Sequence, residues 1–334
     1  AGAAPGPACY ATGGDQPTNT DANLVLGRLG TSLAGGVKHL DRDLAEEAIR
    51  RVIAGPLGME LEEAAQAIVS VANANMADAV RLVSIRRGYD PRDFALLAFG
   101  GAGALHGADV ARELGIPTVV VPPSPGVTSA MGCLLVDIQH DLAQMYTGLA
   151  SAADEEGIEE AFVALETEAA ARLRHEGVAD ENAMLQRKIS MRYSGQWRSL
   201  QVPMGSGPGA LQRAVRTFHE QYEREFSFRQ DDAPVEVYQL HLAAVGKTPK
   251  PAFRPAEVVR QEPGEPVERR PVYFGGAGWL DTPVYDRDAL AAGTAFSGPA
   301  IVGQLDSTTV VPPHTRAEID EWLNIRIHLE EVTR

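Results

Sequence analysis

Gly100, Gly101 and Gly103 sit between two short apolar runs, residues 94–99 and 118–121, in the order strand, glycine turn, helix, strand. A turn without side chains at the carboxyl end of a strand lets a flat or anionic ligand approach the backbone. The helix that follows, residues 105–114, offers N–H groups and the positive end of its dipole. Gly100, Gly101, Ala102 and Gly103 are therefore the candidates for a nucleotide-binding edge, although a βαβ unit also needs glycines for tight packing. His106 follows at the helix start, where the dipole lowers its pKa and keeps the imidazole neutral. A neutral ring there can accept a proton in catalysis, or it can be a plain hydrogen-bond partner.

Four more polar residues are candidates for a substrate or nucleotide cleft. Asp21 and Asn23 lie in a polar turn after a glycine-rich start, and helix capping by Asp21 of a helix running to residue 29 is the structural alternative. Asn73 and Asn75 interrupt an apolar helix in which asparagine is a mediocre former, so they face either a cleft or a neighbouring helix. His140 has Asp137 and Asp141 close by, but on an extended chain these point to different faces, which favours a solvated strand end over a metal cluster. Around Gly195, the pattern predicts a hairpin with Tyr193 and Trp197 packed on the core. Residues 306–309, Asp-Ser-Thr-Thr, predict a tight turn whose side chains bond backbone, or a subunit contact. The sequence contains no Ser-His-Asp arrangement, CxxC pair or P-loop pattern, and it predicts no metal site.

With 45 acidic and 30 basic residues, the net charge of −15 argues against a nucleic-acid or anionic-membrane surface. Cys9 and Cys133 match no metal or redox spacing, read most simply as buried thiols, and fit a reducing, cytoplasmic compartment. No apolar run reaches membrane-spanning length. The chain lacks an initiator methionine and opens in a glycine- and proline-rich loop, which predicts that it is the interior of something larger.

Helices are expected at residues 41–53, with Asp41 or Asp43 as cap, at 61–87 and near 128–136. After residue 150 the pattern changes to an acidic helix (155–176), strands about residue 195, an amphipathic helix (211–225) and a strong strand (235–245). Prolines between 247 and 266 predict a linker or extended crossing, and the rest reads as short strands. The resulting divisions are 1–150, 151–248 and 249–334.

With these segments placed, the chain resembles the hydantoinase A/5-oxoprolinase family. The resemblance rests on Gly6-Pro-Ala-Cys-Tyr10, Thr20-Asp-Ala-Asn-Leu-Val-Leu-Gly27, Asn73-Ala-Asn-Met76, Phe99-Gly-Gly-Ala-Gly103, Pro122-Pro123 with Pro125-Gly126, Arg192-Tyr-Ser-Gly-Gln196, Ser297-Gly-Pro-Ala-Ile301 and Asp306-Ser-Thr-Thr309. It implies an α/β fold: part of an actin, sugar-kinase and Hsp70-like (RNase H-like) ATPase lobe, followed by an α+β, β-rich carboxyl-terminal domain. Residues 1–150 would close the hydantoinase A domain, and 151–248 and 249–334 would form the α+β and β-rich parts of the carboxyl-terminal domain.

The implied chemistry is ATP-dependent activation of a cyclic-amide carbonyl by phosphoryl transfer, as in hydantoinases, 5-oxoprolinase and caprolactamase. The alternatives are an acetone- or acetophenone-type carboxylase subunit and, from another class, a non-catalytic assembly module. In such folds a glycine turn in the second lobe contacts adenosine, which the resemblance places on Gly100, Gly101, Ala102 and Gly103. The family's phosphate loops precede the Gly6-Pro7 motif and are missing from this sequence, so ligands for Mg2+ are expected outside the chain. Phosphoryl transfer needs those parts, and the chain alone is expected to be inactive. The implied partners are an amino-terminal half, a B-type subunit and a small cyclic amide, with no nucleic acid or membrane.

Overall fold

The computed structural model describes residues 4–33 and 35–329. In chain order the helices are α1 (Asn19–Val25), α2 (Arg42–Ile49), α3 (Gly55–Leu57), α4 (Leu61–Val83), α5 (Gly103–Leu114), α6 (Thr128–Leu135), α7 (Glu155–His175) and α8 (Ala210–Phe226). The first strands are β1 (Ser32–Leu33), β2 (Lys38–His39), β3 (Ala95–Leu97), β4 (Thr118–Val121), β5 (Ile138–Leu149), β6 (Ala183–Tyr193), β7 (Leu200–Pro203) and β8 (Val235–Gly246). The remainder are β9 (Glu268–Tyr273), β10 (Trp279–Asp286), β11 (Ala295–Ser297), β12 (Ala300–Gly303), β13 (Thr308–Val311), β14 (Thr315–Ile319) and β15 (Ile325–Leu329).

The chain forms two compact units, Ala1–Met131 with Ala252–Arg334, and Gly132–Pro251. Residues 252–334, which composition separates from the first 150, return to the first unit. The link is a sheet of order β11-β14-β15-β4-β3, in which β15 pairs antiparallel with β4 (Ile325 with Val121) and β4 pairs parallel with β3. Short apolar runs cannot announce partners two hundred residues away, so this pairing has no local signature. A second sheet, β13-β12-β10-β9, and the short antiparallel pair β1-β2 complete the β part of the unit.

Helix α5 is set tightly on the first sheet because Gly107 has no side chain. A Cβ there would lie 2.9 Å from the Ala98 Cβ and 3.2 Å from the Val119 Cγ1. Ala104, Val110, Ala111 and Leu114 share a core with Val119, Val121, Ile325 and Ile327. The three- and four-residue apolar steps of α4 bury Leu61, Ala64, Ala65 and Val69 with α1 and α2. The expected helix at 41–53 is regular only over α2, with Asp41 as cap, and continues as a wider π turn, Arg50–Ala54.

The other unit is an antiparallel sheet of order β5-β8-β6-β7 whose core includes Phe162 of α7, Phe218 of α8, Tyr193 and Leu240. Along β8, Val235 and Val237 are buried, then Leu240, Leu242 and Ala244. The alternation slips at residues 238–239, where both neighbouring strands also shift register. Residues 247–267 hold no helix or strand beyond one bridge, Gln261 to Thr294, as the proline spacing predicts. Trp197 departs from expectation. It is 93% exposed, because the loop joining β6 and β7 carries it away from the core that Tyr193 enters.

Candidate nucleotide site

Parallel pairing of β3 and β4 brings their carboxyl ends to the same edge of the sheet. The loops leaving those ends interlock with the turn between β12 and β13. The Gly100 N–H donates to the Pro125 carbonyl (2.7 Å), the Gly126 N–H to Asp306 Oδ2 (2.8 Å), and Gln304 Nε2 to Asp306 Oδ1 (2.9 Å). Ser307 Oγ lies 3.5 Å from the Gly100 carbonyl oxygen, to which it donates.

Gly100 has φ +85°, which explains glycine there by conformation. Gly101 and Gly103 need another reason. A Cβ at Gly101 would come no closer than 3.5 Å to the Asp306 carbonyl oxygen, and one at Gly103 no closer than 3.6 Å to Ala98. These are ordinary contacts, so packing does not demand glycine. Ala102 begins α5 without a side-chain cap, so the first-turn N–H groups of the helix are left to other partners.

Gly101 and Ala102 line a cavity of about 760 Å³, a size suited to a small-molecule ligand. Its other walls include Tyr10, Thr20, Leu24, Arg42, Leu105, Arg270, Ile301 and residues 303–308. Arg270 donates to the carbonyl oxygens of Gly27 (2.9 Å) and Arg28 (3.2 Å), and burial pulls its guanidinium below its ordinary pKa, opposed by Glu268. Apolar walls and a bare turn suit a ligand with a flat ring; the two arginines are already paired, Arg42 with Glu46 (3.0 Å) and Arg270 with Glu268 (3.4 Å), and Glu268 and Asp306 add carboxylates to the lining.

The remaining candidates lie elsewhere. Asp21 is fully buried and accepts from the N–H groups of Ala8 (3.3 Å), Cys9 (2.8 Å) and Thr18 (2.8 Å) and from Thr18 Oγ (2.8 Å). Thr18, not Asp21, caps α1, and Asp21 closes a reciprocal capping box with it. The Thr18-x-x-Asp21 spacing is the signal that would have found this. Asn23 is buried too and donates to the Asn19 carbonyl (2.8 Å). Neither lines the cavity; Thr20 and Leu24, beside them, do.

His106 and Asn73 are brought together across α4 and α5, with His106 Nδ1 2.7 Å from Asn73 Oδ1. The Asn73 amide reaches Asp109 (3.5 Å), and Asp109 pairs with Arg28 (3.1 Å), which also donates to Gln66 (3.2 Å). His106 is 6% exposed, and burial, reinforced by the Arg28 charge and opposed by Asp109, lowers its pKa. The imidazole is therefore neutral, as expected, but burial is the main cause. With Asn73 accepting, the Nδ1 atom carries the proton. Asn73, Arg28 and Asp109 border a second cavity of about 610 Å³. Asn75 is exposed, two residues round the helix from Asn73, and does not join this group.

Cys9 is buried, and burial together with the Asp21 carboxylate pushes its thiol up to about 12, which rules out a thiolate nucleophile at neutral pH. Cys133 is exposed, contrary to expectation. His140 pairs with Glu176 (2.8 Å), while Asp137 binds Lys250 (2.7 Å). Among the described residues no group of three His, Cys, Asp or Glu side chains could hold a metal ion.

Residues 1–142 match the family model described as hydantoinase/oxoprolinase, and residues 149–332 match the hydantoinase/oxoprolinase C-terminal domain. The chain belongs to the hydantoinase/oxoprolinase family. Among relatives of this hydantoinase/oxoprolinase chain, caprolactamase subunit alpha of Pseudomonas jessenii is 35% identical over 96% of the chain and 47% of the relative. The acetophenone carboxylase gamma subunit of Aromatoleum aromaticum is also 35% identical, over 96% of the chain and 46% of the relative. The crystal structure of ATP-dependent caprolactamase from Pseudomonas jessenii superposes with a TM-score of 0.77 at 33% identity, covering 98% of the chain and 49% of that structure. The chain spans about half the length of these relatives. No helix among the described residues is long and apolar enough to cross a membrane.

Proposed function

We propose that this chain is the carboxyl-terminal part of an A-type subunit of an ATP-dependent cyclic-amide hydrolase, and that its glycine-turn cavity holds the adenosine end of ATP. The observation that carries the reading is the turn at residues 100–103, where neither packing nor backbone conformation demands glycine at Gly101 or Gly103, yet bare backbone faces a cavity at an uncapped helix start. Such a turn lets a purine or ribose lie against the main chain. The solved caprolactamase relative is named as ATP-dependent, which supports the nucleotide.

In this reading the fold belongs to an actin-like two-lobed ATPase, and the phosphate loops come from an amino-terminal half. ATP supplies a phosphoryl group to the amide oxygen, converting a poor electrophile into one that water attacks. This chain's own residues hold and orient the nucleoside, and the walls formed by Leu105 and Ile301 keep water from it. The described residues do not fit Mg2+, whose ligands we assign to the other half. Partner binding is supported by β3, an edge strand whose Leu97 and neighbouring Phe99 are exposed on one face of the sheet.

Nucleotide binding to the chain with and without an amino-terminal half tests the reading. The joined form is expected to bind ATP and to hydrolyse it with a lactam or hydantoin, and the chain alone to show negligible ATPase activity. Absence of ATP binding in both forms would leave the assembly-module reading. The equal identity to the acetophenone carboxylase subunit favours a second reading, ketone carboxylation. ATP hydrolysis that requires bicarbonate and a ketone would select it.

A further inference from the structure

The turn between β12 and β13 is the part of the cavity that the chemistry above does not use. From that turn Asp306 reaches the loop after β4: its hydrogen bond with the Gly126 N–H joins residues 180 apart. Both carboxylate oxygens are engaged, Oδ2 by Gly126 and Oδ1 by Gln304, whose amide also donates to the Pro123 carbonyl (3.3 Å). The fit is close, since a Cβ on Gly126 would stand 2.3 Å from Asp306 Oδ2 and 2.8 Å from its Cβ. One residue back, the Pro125 carbonyl accepts the Gly100 N–H at 2.7 Å. From the other side, Ser307 donates to the Gly100 carbonyl.

We propose that Asp306 is the positioning residue of the glycine turn, holding Gly100 and Gly101 in a nucleotide-ready conformation through the Gly126–Pro125 peptide. The inference rests on the reading that this turn borders ATP. A carboxylate receiving a backbone N–H makes one of the stronger hydrogen bonds available. Gly100, with no Cβ and φ +85°, has many conformations open to it, so the turn's shape must be imposed from outside. Asp306 itself need not touch the ligand. Its removal frees the 123–126 loop, uncouples the Gly100 N–H from its acceptor, and leaves a turn that must be ordered at the expense of binding.

The test uses the complete enzyme and ATP as probe. Asp306→Ala is expected to raise the KM for ATP about tenfold with kcat unchanged at saturating ATP. Asp306→Asn, which keeps one acceptor, should fall between. Gly126→Ala breaks the same contact from the other side, so its effect and that of Asp306→Ala should not add. Gly101→Val is the control for the nucleotide assignment itself. If Gly101→Val raises KM and Asp306→Ala does not, the positioning role is overturned while the nucleotide reading stands. If neither changes KM, both are overturned. A parallel loss of kcat and melting temperature in Asp306→Ala would also overturn the proposal, reducing Asp306 to a structural residue.

Discussion

The start of helix α5 lies between two contrasting regions. On one side, the bare turn at Gly101 and Ala102 opens to a cavity of about 760 Å³. On the other, His106, Asn73, Asp109, Arg28 and Gln66 form a chain of mutual hydrogen bonds. Of the polar side chains that look chemical in the sequence, His106 and Asn73 bond each other, and Asp21 and Asn23 are tied to backbone around α1. The open positions are those with least side chain. Functional capacity in this molecule therefore follows from what is left unfilled, and a polar residue signals chemistry only when its hydrogen bonds are not already committed inside the fold.

The contrast can be broken by substitution. Asp21→Ala should have the largest effect, because it strips buried N–H groups at Ala8 and Cys9 of their acceptor. A loss of about 3 kcal/mol in urea unfolding is expected. It should also expose Cys9 to alkylation at pH 8; in the unaltered protein only Cys133 of the two cysteines should react. If Asp21→Ala leaves stability intact, the buried carboxylate is not structural and its cleft role returns.

Arg28→Ala should cost about 2 kcal/mol by leaving Asp109 without its cation, a loss moderated because Asp109 is partly exposed. ATP affinity should be unaffected; a fall in affinity without a fall in stability would move the network into the ligand site. Gly101→Val should do the reverse. About tenfold weaker ATP binding in the complete enzyme, about 1.4 kcal/mol, is expected with the melting temperature preserved. Unchanged affinity removes the nucleotide from the turn.

The smallest effect is in the pH dependence of stability. The folded pKa of His106 lies below the ordinary 6.5, so the unfolded chain binds the proton more readily. The stability held by the neutral ring is complete above pH 6.5 and is lost as pH falls from there toward the folded pKa. His106→Gln should flatten this part of the profile in urea melts at pH 7 and pH 5.5. An unchanged slope would mean that the ring is not the group responsible.

The helices were legible because apolar residues recur at three- and four-residue steps. α4 and α7 end within a few residues of where the pattern places them, and β4 coincides with its apolar run. The glycine turn was legible because strand, glycines and helix are consecutive. The Arg28–Asp109 pair, Asp306 beside Gly126 and the union of β4 with β15 were not, since each joins distant segments with no local pattern. Trp197 was misplaced for a related reason: an aromatic residue near a turn has no periodicity to say which way it faces.

That union of β4 with β15 also sets an order of events during synthesis. The unit Gly132–Pro251 is a continuous stretch and can fold as soon as it is made. The first unit must wait with the edge of β4 unpaired until residues 325–329 arrive, and non-local pairing of this kind is slow. A chain halted at residue 251 should therefore protect its second unit from protease while its first remains cleavable. The glycine-turn cavity, walled by residues 303–308 from that last segment, is then among the final features of the molecule to form.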